Sequence, residues 1–223
     1  MRARLSVIVP VLNSAAELPA LLCGLMAGLE AGLIRELILS DGGSRDEAER
    51  IADDAGAIWV TGAASRGAQL RRGVAAARGD WLLFLHADTS LPDGWVQAVK
   101  AQMEDGRPGY FRLSFDAQGA APRIVAGWAN LRARLFHLPY GDQGLLISRA
   151  DYDAAGGYPD IPLMEDVALA RRLGRRLRMM PLAVRTSAAR YRRDGWARRG
   201  ARNLWLLARY LAGADPETLR RRY

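Results

Sequence analysis

At 223 residues, half hydrophobic and a quarter charged, the chain can bury one sizeable core and is too apolar to be disordered. Its net charge of +8 would suit a nucleic acid or an anionic surface, but the excess is local. Residues 185–223 hold 11 Arg against Asp194, Asp215 and Glu217, while the other 184 residues balance 21 basic with 21 acidic side chains, and a neutral body without an RNA or DNA motif argues against nucleic-acid binding.

The lone Cys23, inside the apolar run 21–26, reads as a packed thiol, and the lack of a disulfide framework suits a reducing compartment. Residues 1–12 are too short and too strand-like for a signal peptide, and no apolar run approaches the ~20 residues of a spanning helix. The expectation is a cytoplasmic protein, at most peripheral on the inner face of the membrane.

Residues 5–10, short, apolar and β-branched, predict a strand. Asn13-Ser14 can cap a helix over roughly 15–31, with Leu18, Leu21, Leu22, Leu25, Met26 and Leu29 at helical spacing. A second strand over 33–40 ends in Asp41-Gly-Gly-Ser44, where Ser44 and Glu47 form a capping box for a helix over about 45–55. Strand 57–61, helix 67–77 and strand 80–85 follow. This alternation predicts an α/β fold built on a parallel, doubly wound sheet. The second half is less regular. It reads as helix 93–103, a half-exposed alternating strand 110–115, an amphipathic helix 121–137 with Ile124, Val125, Trp128, Leu131 and Leu135, strand 144–148, and short helices 150–155 and 164–173. Trp59, Trp95 and Trp128 look like packing residues, and Asp151, Asp153 and Asp160 like solvated charges. No repeat or flexible linker marks a boundary, so one domain with a C-terminal extension is expected.

A dinucleotide site is unsupported, because the first strand-to-helix turn, Pro10-Val-Leu-Asn-Ser-Ala15, has no glycine. Gly62 and Gly67 are spaced as in a P-loop, but Ala68-Gln69 replace the phosphate-binding Lys and metal-binding hydroxyl. What remains is a set of carboxylates at loop positions: Asp41, Asp88, Asp142 and Glu165-Asp166. The run Trp81-Leu-Leu-Phe-Leu85 has the length of a strand buried on both faces and stops at His86, Asp88 and Thr89. Ligands of open α/β sheets bind beyond the carboxyl ends of strands, so Asp88 stands either at a phosphate-bound metal or in an ordinary Asx turn.

Val9-Pro-Val-Leu-Asn13, Asp41-Gly-Gly-Ser44, Leu83-Phe-Leu-His-Ala-Asp88 and Met164-Glu-Asp-Val-Ala-Leu169 are together similar to family 2 glycosyltransferases, in order and at ordinary spacing. Arg66-Gly-Ala-Gln69, Tyr140-Gly-Asp-Gln143 and Phe84-Leu-His-Ala-Asp-Thr89 resemble more closely a compact bacterial subgroup, called glycosyltransferase-like or radical-SAM-cluster-associated. The resemblance spans residues 4 to about 190. It implies a GT-A fold, an αβα sandwich around a mostly parallel sheet, with residues 1–190 as the transferase domain and 191–223 as a basic amphipathic helical extension of it.

By the same resemblance the donor is a nucleotide-diphosphate sugar, typically a UDP-sugar, and the acceptor a hydroxyl, in some relatives lipid-linked. Pro10 and Asn13 would lie beside the nucleoside, Asp41 would read the base, and Arg66 would lie near base or diphosphate. Asp88 takes the last position of the family's Asp-x-Asp and would hold a divalent ion, Mn²⁺ or Mg²⁺. His86 stands where the first Asp is usual, and a neutral imidazole suits Mn²⁺ better than Mg²⁺. Asp166, with Glu165, matches the catalytic acidic pair, Asp166 being the base of an inverting displacement. Asp142 and Gln143 read either as sugar or acceptor contacts or as turn residues. The tail, with Trp196, Trp205, Leu206, Leu207, Tyr210 and Leu211 among arginines, suits an anionic membrane surface, its own domain or a second subunit. The rival functions are a nucleotidyltransferase and a nucleotide-sugar-binding protein without turnover.

Overall fold

Strand β1 (Leu5–Val11) is almost wholly buried, because alternate residues feed two different cores. Leu5, Val7, Val9 and Val11 join one apolar cluster and Ile8 the other. The period of two that sends side chains to opposite faces of a strand thus demands helices on both sides of the sheet. The computed structural model describes residues 3–222, so positions 1–2 and 223 of the two expected regions lie outside them.

The sheet has seven strands. β2 (Ile34–Asp41), β3 (Ile58–Thr61) and β4 (Trp81–Phe84) are joined by β5 (Gly109–Phe115), β6 (Leu145–Ser148) and β7 (Arg178–Thr186). Their order is β3-β2-β1-β4-β6-β5-β7. The first four are parallel, β6 runs antiparallel to both β4 and β5, and β7 pairs parallel with β5. Helices α1 (Leu18–Glu30), α2 (Ala48–Asp54) and α4 (Trp95–Asp105) carry residues of the first core. Helices α3 (Arg66–Ala76), α6 (Arg149–Ala154) and α7 (Glu165–Leu173) carry residues of the second. Helix α5 (Ala120–Phe136) lies on β5, and α8 (Ala189–Asp194), α9 (Trp196–Leu211) and α10 (Pro216–Arg220) follow β7.

Several local expectations are corrected. Helix α1 starts at Leu18, with Pro19 in its first turn, so Asn13-Ser14 do not cap it. Asn13 is instead in the left-handed region at φ 51°. Ser44 does not cap α2 either, because its hydroxyl is bonded to Asp41. Cys23 is exposed rather than packed. Strand β5 is buried along most of its length, Tyr110 belonging to one core and Phe111 to the other. Strand β7 was not anticipated. Asp151 is paired with Arg176 at 2.7 Å rather than solvated.

The largest reversal is α5. Of the expected stripe Val125 packs inward, but Ile124, Trp128, Leu131 and Leu135, with Phe136, are exposed. The inner face is held instead by Asn130, whose amide accepts from Leu113 N at 2.7 Å and donates to Leu113 O at 3.0 Å. Arg132 is buried beside it, donating to Leu138 O at 3.0 Å with its guanidinium 3.4 Å over the Tyr140 ring. Among the described residues no helix is long and apolar enough to cross a membrane.

Candidate active site

Strand β1 is followed on one side by β2 and β3 and on the other by β4, so the crossover direction reverses between β1 and β4. A crevice opens at the carboxyl ends of strands at such a switch point. Here it is a cavity of about 540 Å³, within the range of small-molecule sites. Eight of the ten residues proposed from sequence line it: Pro10, Asn13, Arg66, His86, Asp88, Asp142, Glu165 and Asp166. Asp41 and Gln143 do not.

Asp41 ends β2, and its carboxylate is taken up by its own loop. It accepts from Gly43 N at 2.8 Å, from Ser44 N at 3.0 Å and from Ser44 Oγ at 2.6 Å. The Ser44 hydroxyl in turn accepts from Asn13 N at 2.8 Å, and Asn13 Oδ1 accepts from Arg45 N at 2.9 Å. The two loops are therefore stitched together, and Asp41 shapes the cavity wall from behind. Gln143 is also a scaffold residue. Fully buried, it donates to Phe111 O at 3.2 Å and accepts from Tyr140 N at 3.3 Å.

Arg66 opens α3 and bridges two partners across the cavity floor. Its Nη2 lies 2.6 Å from His86 Nε2 and 3.1 Å from Nδ1, and its Nε is 3.5 Å from Glu165 Oε1. Burial first, and then the charges of Arg66 and Arg190, hold the His86 pKa well below its ordinary value, so the ring is neutral. Glu165, 3% exposed, is pushed up to about 8 by burial and by the Asp166 charge, against the pull of Arg66. Asp142 is raised to about 6, again by burial, with Asp166 and Asp88 adding repulsion.

These shifts carry a stability consequence. Both carboxyls hold a proton more tightly folded than unfolded, so their contribution is complete at acid pH and is lost as pH rises through about 6 and then about 8. The melting temperature is expected to decline from about pH 4, where these carboxyls begin to ionise in the unfolded chain, to about pH 8, and Glu165→Gln to flatten the upper half of that decline. Thermal denaturation across this range decides it; an unchanged slope in the variant would exclude Glu165 as the titrating group.

Asp166 stands in the first turn of α7, where the helix dipole favours a carboxylate. Its Oδ2 accepts from Gly141 N at 2.6 Å and its Oδ1 from Val167 N at 2.7 Å. The residue before the pair, Met164, takes the left-handed conformation at φ 67°, which turns the chain into the helix. Asp142, one residue past Gly141, has a buried Oδ1 with no hydrogen-bond partner. Asp88 follows β4 and accepts from Thr186 Oγ1 at 3.1 Å. Gln69 was not singled out from sequence, although it sits in the Arg66-Gly-Ala-Gln69 motif. Its buried amide donates to Val11 O at 2.8 Å and Ser40 O at 2.9 Å, tying the ends of β1 and β2 beneath the cavity. Thr186, Arg190, Tyr191, Arg199, Asn203 and Arg220 also line the cavity, and no motif announced them.

For a divalent ion the donor set is sparse. No three His, Cys, Asp or Glu among the described residues are arranged to hold one. The Arg66 guanidinium lies against both His86 ring nitrogens, so in this arrangement neither nitrogen faces an ion. Hard cations are commonly bound by one or two carboxylates together with substrate phosphates. Asp88, at the cavity and bonded through one oxygen to a neutral hydroxyl, fits an ion that enters with a diphosphate.

An open αβα sandwich with carboxylates at this switch point defines a nucleotide-diphospho-sugar transferase fold of the GT-A type, and solved structures agree. A mycobacterial protein matches with a TM-score of 0.57 at 22% identity, over 83% of this chain and 65% of that one. Glucosyl-3-phosphoglycerate synthase of Mycobacterium tuberculosis, solved with Mg²⁺ and uridine diphosphate, matches at 0.58 and 22%, over 83% and 70%. S. aureus TarS matches at 0.62 and 14%, over 97% of this chain and 41% of its own. Identities this low speak for the fold alone. No curated protein matches in sequence. Residues 6–138 match the model described as Glycosyl transferase family 2, and the chain belongs to that family.

Proposed function

We propose that the chain transfers a sugar from a nucleotide-diphosphate donor, with UDP-sugars the first to test, to a hydroxyl acceptor with inversion at the anomeric carbon. The observation that carries this reading is Asp166, a carboxylate lining the cavity and aimed by two backbone N–H groups. A single oriented base suits a one-step displacement, in which it takes the acceptor's proton as that oxygen attacks from the face opposite the nucleotide. Glu165, buried and raised to about 8, holds Arg66 rather than serving as a second base.

Pro10, Asn13, Arg66 and Asp88 form the donor wall, and Asp41 keeps that wall in place. Asp142, with one unpartnered buried oxygen, accepts from a sugar hydroxyl. A divalent ion, when bound at Asp88, supplies charge stabilisation to the leaving diphosphate. Uridine diphosphate and Mn²⁺ or Mg²⁺ accompany the M. tuberculosis synthase in its crystals, and uridine diphosphate accompanies TarS, which supports this donor class. Tyr191, Arg199, Asn203 and Arg220 line the same cavity as the rest, which supports residues 191–223 as an extension of the 1–190 domain rather than a separate unit.

A thermal-shift screen of UDP-, GDP- and dTDP-sugars, with and without Mn²⁺, tests the donor. A UDP-sugar at a hundred times its Kd should stabilise by about 2.7 kcal/mol, and should then be turned over. Equal indifference to all three nucleotides would end the donor assignment.

A further inference from the structure

Helix α5 turns its largest apolar side chains outward. Its inward face carries the polar Asn130 and the buried Arg132, while Ile124 (69% exposed), Trp128 (47%), Leu131 (45%), Leu135 (58%) and Phe136 (62%) face solvent. Positions 124, 128, 131 and 135 recur at helical spacing, so they form one stripe along the helix. Scattered apolar residues need no explanation, but a continuous stripe of this size marks an interaction surface.

The charge around the stripe says what covers it. Helix α5 contains Arg123, Arg132 and Arg134 and no carboxylate. Helix α9, packed beside it, contains Arg198, Arg199, Arg202 and Arg209, again with no carboxylate. Arg123, Arg134, Arg198 and Arg209 are exposed. On α9 itself Leu206 and Leu207 are buried, while Leu204, Trp205 and Leu211 remain partly in solvent. Of the seven arginines on the two helices, Arg132 is buried over the Tyr140 ring, and Arg199 and Arg202 pair with Asp194 at 2.6 and 3.1 Å; the four exposed ones, with no carboxylate on either helix, would repel a second copy of the same face. They complement an anionic lipid surface, where each basic side chain close to the headgroups adds attraction.

We propose that α5 is the membrane-docking element of this protein. It lies in the headgroup region of an anionic bilayer, with Ile124, Trp128, Leu131, Leu135 and Phe136 entering the acyl boundary and the exposed Arg123, Arg134, Arg198 and Arg209 pairing with lipid phosphates. The basic tail, which sequence alone singled out for this role, supplies charge, whereas the insertion surface comes from the middle of the chain. Residues Val125, Ala126 and Ala129 of α5 pack in the cluster that contains Phe115 and Tyr191, both of which line the cavity. A bilayer on the outer face of α5 therefore lies about one helix diameter, ~10 Å, from the catalytic cleft. On the glycosyltransferase reading above, this places a lipid-linked hydroxyl within reach; the docking itself does not depend on that reading.

The test is flotation of the intact chain with vesicles of phosphatidylglycerol and phosphatidylcholine, compared with phosphatidylcholine alone, at low and physiological salt. Binding to the anionic vesicles is expected to exceed that to the neutral ones at least tenfold and to weaken with salt. The variant Ile124→Ser/Trp128→Ser/Leu135→Ser should lose at least nine-tenths of that binding while its melting temperature and donor binding stay unchanged, since these side chains are exposed and outside the cavity. No binding by the intact chain at low salt, or undiminished binding by the triple variant, overturns the proposal. So does a dimer in sedimentation equilibrium that the same three substitutions dissolve, because the stripe would then be a self-interface. A separate transfer assay without vesicles reports on the catalytic reading, so the two ideas fail independently.

Discussion

Asp166→Asn is expected to cut sugar transfer by about 10²–10⁴-fold, the usual contribution of a positioned base, while donor binding changes by less than about twofold. The asparagine keeps the shape of the side chain but has one acceptor oxygen for the two donors that hold it, Gly141 N and Val167 N. One of those contacts is lost, and about 1–2 kcal/mol of stability with it. A second signature separates loss of the base from simple misfolding. The Asp166 charge is one of the causes that push Glu165 up to about 8, so its removal should move the pH-dependent fall in melting temperature to lower pH. Turnover is read from nucleotide release and donor affinity from calorimetry. A variant that retains more than a tenth of wild-type turnover would require another base.

Gly67→Ala is expected to be the most damaging single-methyl addition near the site. The new Cβ would stand 2.1 Å from Pro159 O, 2.8 Å from Ile161 O and 2.9 Å from Ile161 N. All three are backbone atoms, so no side chain can turn away. Alanine's better helix propensity returns about 1 kcal/mol, which is less than the clash. The segment 159–164 must move, its bond from Gly67 N to Ile161 O (3.2 Å) is broken, and Met164, Glu165 and Asp166 move with it. Overpacking of this kind costs about 1–3 kcal/mol or more, and at 2–4 °C per kcal/mol for a chain of this size the melting temperature should fall by roughly 4–12 °C. Transfer should fall further than stability explains, because Arg66 and Asp166 lie on the two sides of the displaced contact. Gly127→Ala is the control: nothing lies within 4 Å of its Cβ, so it should be neutral or stabilising by up to about 1 kcal/mol. Equal melting temperatures for wild type and Gly67→Ala would show that the 159–164 segment is not seated on α3.

The first four strands were legible because each is a short apolar run closed by polar residues, and the β-α alternation follows from local pattern. The strand-end residues Asn13 and Asp88 were legible because loops at the carboxyl ends of such strands carry the chemistry, whereas Asp166, in the first turn of α7, was legible only through the resemblance of Glu165-Asp166 to the family's acidic pair. Helix starts were less so. Asn13 and Ser44 have the right side chains for caps, but each finds a stronger partner across the gap between two loops. Strand β7 was missed because Arg178–Thr186 mixes arginines with a proline, and only pairing with β5 makes it a strand.

Local pattern thus determined the class of sheet, the family to which the chain belongs and the loops that carry the carboxylates, since these depend on residues adjacent in the chain. Which side of a helix faces inward was a different matter. On α5 the apolar stripe predicts burial, yet Asn130 and Arg132 outcompete it, because β5 and the 138–140 turn offer them backbone and ring partners separated from them by up to 17 residues. The surroundings of His86 follow the same pattern. Its place beside Asp88 suggests a metal ligand, but Arg66, twenty residues away, lies against the ring. Only the tertiary structure could settle this, because a side chain's partner depends on which groups the fold brings within about 3 Å, and chain spacing does not encode that distance.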